Sequence, residues 1–190
     1  MSERQKILIV DDRVENLIAL ENTLSELDVE IFRATSGDEA LAVSLKHDFA
    51  VALLDVMMPE MDGYELAQHL RGDEKTYVIP IVFLTASFDD ELHMFKGYEA
   101  GGVDYIVKPY NPEVLLSKVK VFLELDRSRK QLETLVAERT RDLRERVKEV
   151  QCLYAISTLV AEPCASIEES LKAAIAMIPP GWQYPEITCV

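Results

Sequence analysis

The feature that most restricts how this chain can fold is an alternation, kept up to about residue 110, of short apolar runs with stretches whose apolar residues recur at helical spacing. The runs are Ile7-Leu8-Ile9-Val10, Glu30-Ile31-Phe32-Arg33-Ala34, Ala50-Val51-Ala52-Leu53-Leu54, Ile79-Pro80-Ile81-Val82-Phe83-Leu84 and Tyr105-Ile106-Val107. Three of the five are apolar nearly throughout, which suits strands covered on both faces by helices. Between them Val14, Leu17, Ile18 and Leu24 fall at helical spacing, as do Ala40, Leu41, Val43 and Leu45, then Leu66, Ala67 and Leu70, then Leu92, Phe95 and Tyr98. Alternating strands and helices with short connections predict a parallel sheet with right-handed crossovers, an α/β fold. In open sheets of this class ligands sit outside the carboxyl ends of the strands, where the strand order reverses. The polar residues of this chain gather at those ends. Asp11 and Asp12 follow the first run, Asp55 ends the third, Thr85 the fourth and Lys108 the fifth.

Three carboxylates at neighbouring strand ends repel one another unless something neutralises them, and hard oxygen donors favour Mg2+. An Asp-Asp pair after a strand can also simply begin a turn or a helix, so the reading rests on the whole set. Beside a divalent cation, Asp55 can accept a phosphoryl group as an acyl phosphate if positive and donor groups stabilise the phosphoryl oxygens. Lys108 supplies the charge and Thr85 a hydroxyl. A structural ion pair between Lys108 and the acids is compatible with that role.

Val10-Asp11-Asp12, Leu54-Asp55-Val56-Met57-Met58-Pro59 with Gly63, Leu84-Thr85-Ala86 and Tyr105-Ile106-Val107-Lys108-Pro109, taken as an ordered set over about residues 4 to 125, resemble the receiver domain of bacterial two-component response regulators. The resemblance implies a doubly wound, five-stranded parallel sheet of the flavodoxin-like type with a long C-terminal helical extension. It implies that Asp55 is the phosphoacceptor, phosphorylated by a histidine kinase or phosphotransfer protein. Mg2+ would be held directly by Asp12 and Asp55 and by the Met57 carbonyl, with Asp11 acting mainly through water, while Thr85 and Lys108 contact the phosphoryl oxygens. The resemblance further implies a switch, in which the Thr85 hydroxyl is drawn inward and Tyr105 moves from exposed toward buried. A half-buried strand aromatic is the plainer reading of Tyr105. Lys108-Pro109 matches a bond that is cis in the family. Residues 100–104, Ala-Gly-Gly-Val-Asp, are one residue longer than the commonest family pattern, which bears on the posture of Tyr105.

After Asn111-Pro112 the pattern changes. Pro112 suits a first helical turn, and no glycine or proline follows until Pro163, so one helix, or two end to end, is expected. Leu125, Arg129, Leu132 and Val136 step by 4, 3 and 4, and Thr140, Leu143, Val147, Val150, Tyr154 and Ser157 step by 3, 4, 3, 4 and 3. Both series match coiled-coil seams, joined at Val136 and Thr140 by a stutter, and a second copy of the chain is the expected cover. A solvated helix, or one folded back on its own domain, is the alternative. Residues 135–143 are similar to the signalling helices that join sensory to output modules in bacteria. Ser166 with Glu169 reads as a helix start, Pro179-Pro180-Gly181 as its stop, and residues 153–190 resemble the beginning of a GAF-type sensor domain that continues past Val190. The expected division is a receiver domain over 1–125, a signalling helix over 126–160 and a truncated further domain over 161–190.

Charge marks the same boundary. Residues 1–125 carry 24 acidic and 11 basic side chains, whereas residues 126–150 carry 6 and 8. A net charge of −14 argues against nucleic acid as a partner. No apolar run approaches the roughly 18 to 20 residues that span a bilayer, and the first residues lack a signal-peptide core, so we expect a cytoplasmic protein that does not enter a membrane. Cys152, Cys164 and Cys189 have no ligand-like spacing and read as ordinary buried or half-buried thiols. In this segment we expect no enzymatic activity beyond self-catalysed phosphoryl transfer, a kinase or other catalytic output being left to the chain past Val190. An aspartyl-phosphate phosphatase of the haloacid dehalogenase type would need a second aspartate two residues after the nucleophile, where Met57 stands. A receiver serving only as a scaffold would show losses among the acids or the lysine, and none is seen.

Overall fold

The computed structural model of the chain describes residues 4–86 and 102–161. The predicted helix around residues 92–98, the expectations for Cys164, Ser166 and Cys189, and residues 162–190 of the GAF-like segment lie outside those residues. The described elements are β1 (Gln5–Val10), α1 (Val14–Leu24), β2 (Val29–Ala34), α2 (Gly37–Ser44), β3 (Val51–Asp55), α3 (Gly63–Gly72), β4 (Ile81–Thr85), β5 (Asp104–Val107) and α4 (Pro112–Ala161). The strands form one sheet in the order β2-β1-β3-β4-β5, every adjacent pair parallel. The α/β expectation therefore holds, and the long helix begins at Pro112 as read.

The continuous apolar runs become strands that bury alternate residues on opposite faces of the sheet. Leu8, Val10, Ala52, Leu54, Ile81 and Phe83 pack with α2 and α3 through Ala40, Leu66, Ala67 and Leu70. Ile7, Ile9, Val51, Leu53, Val82 and Leu84 pack on the other side with α1 and the start of α4, through Leu17, Leu20, Leu24, Leu115 and Val119. Burial on both faces is why the hydrophobic period of two is invisible in the sequence.

The helix faces differ in part from the expectation. In α1 the buried stripe is Leu17, Leu20 and Leu24, while Val14 and Ile18 are exposed. Only a narrow strip of α1 meets the sheet, and Leu20 lies closer to it than Ile18 does. In α2 the small residues Ala40 and Ser44 are buried, and Leu45 falls at the C-cap and is exposed.

α3 is fixed at its start by a capping box. The Asp62 carboxylate accepts from the backbone N–H groups of Tyr64 and Glu65, both at 2.8 Å, and Glu65 accepts in return from the Asp62 N–H at 3.3 Å. Asp62→Ala is expected to cost about 1 kcal/mol of stability, measured by denaturant unfolding, because it leaves these donors without their acceptor.

The chain divides into two units, Met1–Ser128 and Arg129–Val190. In the first, buried Asp126 accepts from the Gln5 side chain at 2.9 Å, and the same amide donates to the Leu123 carbonyl at 2.8 Å. In the second, Leu132, Val136, Leu143, Val147, Val150 and Tyr154 are each more than half exposed. Arg129 lies 3.7 Å from Glu133. No described helix is both long and apolar enough to cross a membrane.

Candidate functional site

The strand order reverses between β1 and β3, and the acids collect there. Asp11 and Asp12 follow β1, and Asp55 is the last residue of β3, which pairs with β1 through Ile7 to Val10. The topology thus converts residues more than forty positions apart into one cluster. Carboxylate oxygens of Asp11, Asp12 and Asp55 all lie within 4.8 Å of one another. Asp11 is fully buried, Asp55 is nearly so and Asp12 is exposed.

Lys108 enters from the far side. Its backbone N–H donates to the Thr85 carbonyl at 2.7 Å, tying the end of β5 to the end of β4. The Lys108–Pro109 bond is cis, as the resemblance implied. The ammonium lies 2.7 Å from Asp11 Oδ2 and 2.9 Å from Asp55 Oδ1. Burial alone would lower the pKa of Lys108, but its hydrogen bonds to Asp11 and Asp55 outweigh that and raise it. Lys108 is therefore a fixed positive charge at the site.

Asp55 has the opposite balance. Burial raises its pKa, the hydrogen bond and charge of Lys108 pull it back, and the nearby Asp11 and Asp12 push it up again, leaving it raised overall. Burial, helped by the two acids, thus outweighs what Lys108 gives this carboxylate. The donor set consists of hard oxygens with at least one exposed approach through Asp12, which fits a small divalent cation such as Mg2+.

Thr85 is half-buried at the end of β4, one residue beyond the Leu84 that pairs with Asp55, so its backbone is placed beside Asp55. Met57, two residues beyond Asp55, is 74% exposed. Tyr105 is buried rather than half-buried, with its ring 5.3 Å from Phe83. Phe83 also meets Tyr64 at 4.9 Å, and the Tyr64 and Tyr105 side chains are hydrogen-bonded. This state thus holds Tyr105 inward, in an aromatic row that joins α3, β4 and β5.

Two contributors were missed by the sequence reading. Asn16, in the first turn of α1, donates to both oxygens of Asp11 at 2.8 and 3.0 Å, and the Arg13 N–H adds a bond to Asp11 Oδ1 at 3.0 Å. Together with Lys108 they hold Asp11 in a fixed orientation. An amide five residues after an acid at a helix start was the available signal. The second is Tyr64, whose partnership with Tyr105 carries no local signature.

Comparison with known proteins agrees with this geometry. The model of the family described as "Response regulator receiver domain" matches residues 7–120. The transcriptional regulatory protein SrrA of Staphylococcus aureus is 39% identical over 123 residues, 65% of this chain and 49% of that protein. The chain thus spans about half the length of the curated relatives it matches. Among solved structures, the chemotaxis protein CheY4 of Vibrio cholerae superposes with a TM-score of 0.60 at 32% identity, covering 63% of this chain and 99% of that one. The receiver domain of a sensor histidine kinase from Pseudomonas aeruginosa, solved with a magnesium ion coordinated in its active-site cleft, gives 0.59 at 25% identity over 64% and 99% of the two chains.

Proposed function

The chain belongs to the response regulator receiver domain family, and on that premise we propose that it accepts a phosphoryl group on Asp55 from a histidine kinase or phosphotransfer protein in the cytoplasm. It has no other catalytic activity of its own. The observation that carries the reading is the Asp55 carboxylate at the end of β3, held 2.9 Å from the Lys108 ammonium and beside two further acids.

In the transfer, an Asp55 oxygen attacks phosphorus as the P–N bond of the donor phosphohistidine breaks, and that electron pair leaves on the imidazole nitrogen. Lys108 balances charge gathering on the phosphoryl oxygens, and the Thr85 hydroxyl donates to one of them. Met57, where a phosphatase would carry its general acid, has no proton to give. Asp12, Asp55 and the Met57 carbonyl would hold Mg2+, with Asp11 behind it, and the ion would neutralise charge on the group in flight. Thr85 and Tyr105 form the switch that carries the phosphorylated state away from the site. The neighbouring tyrosine row of Tyr64 and Tyr105 supports that assignment, because it connects β5 to α3.

The signal passes on through a homodimer built by α4, toward an output that the transcriptional regulator among the relatives exemplifies. The row of exposed apolar residues from Leu132 to Tyr154 supports this. Two measurements test the reading. Beryllofluoride with Mg2+, a mimic of the acyl phosphate, is expected to bind the wild-type chain and not Asp55→Asn; equal binding would refute the site. Light scattering is expected to give a dimer for the full chain and a monomer for Leu143→Asp with Val147→Asp, since two buried carboxylates per helix would have no partner.

A further inference from the structure

We propose that Asn16 is a positioning residue for phosphoryl transfer, setting the place of the Lys108 ammonium by fixing the carboxylate on which it rests. The proposal deepens the phosphoacceptor reading above and rests on it. Asp11 is fully buried, so both oxygens of its side chain need hydrogen-bond partners. An ionised carboxylate offers about four acceptor sites on its two oxygens. Asn16 Nδ2 donates to Oδ1 at 2.8 Å and to Oδ2 at 3.0 Å. The Arg13 N–H adds a bond to Oδ1 at 3.0 Å, and Lys108 Nζ adds one to Oδ2 at 2.7 Å. A carboxylate only accepts, so the nitrogen of the Asn16 amide, and not its oxygen, faces Asp11. Asn16 itself is half-buried in the first turn of α1, where its N–H donates to the Arg13 carbonyl at 3.0 Å. The start of the helix thus carries the amide to the acid.

A lysine is a point charge on a flexible four-carbon stem, and its backbone fixes only where that stem begins. In Lys108 the bond from its N–H to the Thr85 carbonyl holds that end. The ammonium is placed by two carboxylates, Asp11 at 2.7 Å and Asp55 at 2.9 Å. These two anchors are not equivalent in the reaction. As an Asp55 oxygen bonds to phosphorus, Asp55 gives up its carboxylate charge, and of the two acids Asp11 alone keeps a full charge to hold the ammonium beside the phosphoryl oxygens. Asp11 must therefore present the same oxygen to Lys108 throughout the transfer. The terminal torsion of an aspartate is soft, and Lys108 and the Arg13 N–H each meet one oxygen only. Asn16 spans both oxygens and so fixes the plane of the group.

Two measurements on the full chain test this, with Asn16→Ala and with Asn16→Leu, which keeps nearly the same size and lacks the donor. Phosphoryl uptake from acetyl phosphate at saturating Mg2+ is expected to fall by about tenfold or more in each, since small misplacements of a charge at a reacting centre are costly. In the metal-free protein, labelling of lysine amines with acetic anhydride, read by peptide mass spectrometry, is expected to rise severalfold at Lys108. Labelling of Lys118, which pairs with Asp104 away from the site, is expected to stay unchanged. A positioning role predicts both results together. Unchanged uptake would overturn the proposal, and so would lower uptake with Lys108 labelled as in the wild type, because Asn16 would then act by another route. An equal rise at Lys108 and Lys118 would show a general loosening of the fold and overturn it as well. A wild-type chain that takes up no phosphoryl group would remove the phosphoacceptor reading and this proposal with it, a failure told apart from the others because no variant enters into it.

Discussion

Replacing Asp55 by Asn is expected to lower phosphoryl uptake from a small donor such as acetyl phosphate by about a thousandfold or more, and at the same time to raise the thermal stability of the metal-free protein. The first effect follows from removing the nucleophile: an amide oxygen is nearly the same size but cannot form the acyl phosphate. The second follows from electrostatics. Burial and the neighbouring Asp11 and Asp12 raise the pKa of Asp55, so in the folded state its ionised form is disfavoured. A carboxyl group with a raised folded pKa favours the fold while protonated and loses that contribution as pH rises through its folded value. At neutral pH the ionised group therefore opposes folding, and Asn relieves it while Lys108 keeps its 2.7 Å partner Asp11. The stability gain should shrink as pH falls into the range where Asp55 takes up its proton. A variant that loses both phosphoryl uptake and stability would instead have damaged the fold, which calorimetry in the absence of divalent cations would show.

Gly63→Ala is expected to destabilise the protein by about 3 kcal/mol and to impair phosphoryl uptake, although Gly63 never touches the phosphoryl group. A Cβ at this position would stand 2.2 Å from the Asp55 carbonyl oxygen and 3.0 Å from the Val56 Cα. These are backbone atoms, so no flexible side chain can yield, and overpacking of this kind costs about 1–3 kcal/mol, here toward the upper end. The Gly63 N–H also donates to the Val56 carbonyl at 3.1 Å, so α3 begins directly against the end of β3. Moving either element shifts Asp55 against Lys108. Gly72→Ala is the control: nothing lies within 4 Å of its added methyl, and a change of no more than about 1 kcal/mol, toward greater stability, is expected.

The strands and the acidic site were legible because each depends on local sequence. A strand buried on both faces must be apolar throughout, and Asp11, Asp12, Asp55 and Lys108 each stand at the end of such a run. What the sequence concealed depends on tertiary neighbours. Ile18 and Leu20 are equally apolar, and only the placement of α1 on the sheet decides that Leu20 is buried. Asn16 acts on Asp11 through a side-chain contact across the β1–α1 turn, and Tyr64 on α3 meets Tyr105 on β5, some forty residues away in sequence. The inward position of Tyr105 was likewise illegible, since a strand aromatic next to a polar site can lie either way. In α4 the apolar spacing was visible because every position of the stripe lies on one helix, uninterrupted by glycine or proline.

The central claim is that Asp55 carries the phosphoryl group, and peptide mass spectrometry after incubation with Mg2+ and acetyl phosphate tests it most directly. The peptide containing Asp55 is expected to gain the mass of one phosphoryl group, and to gain none when Mg2+ is chelated. Modification of a different residue, or equal modification of Asp55→Asn, would contradict it.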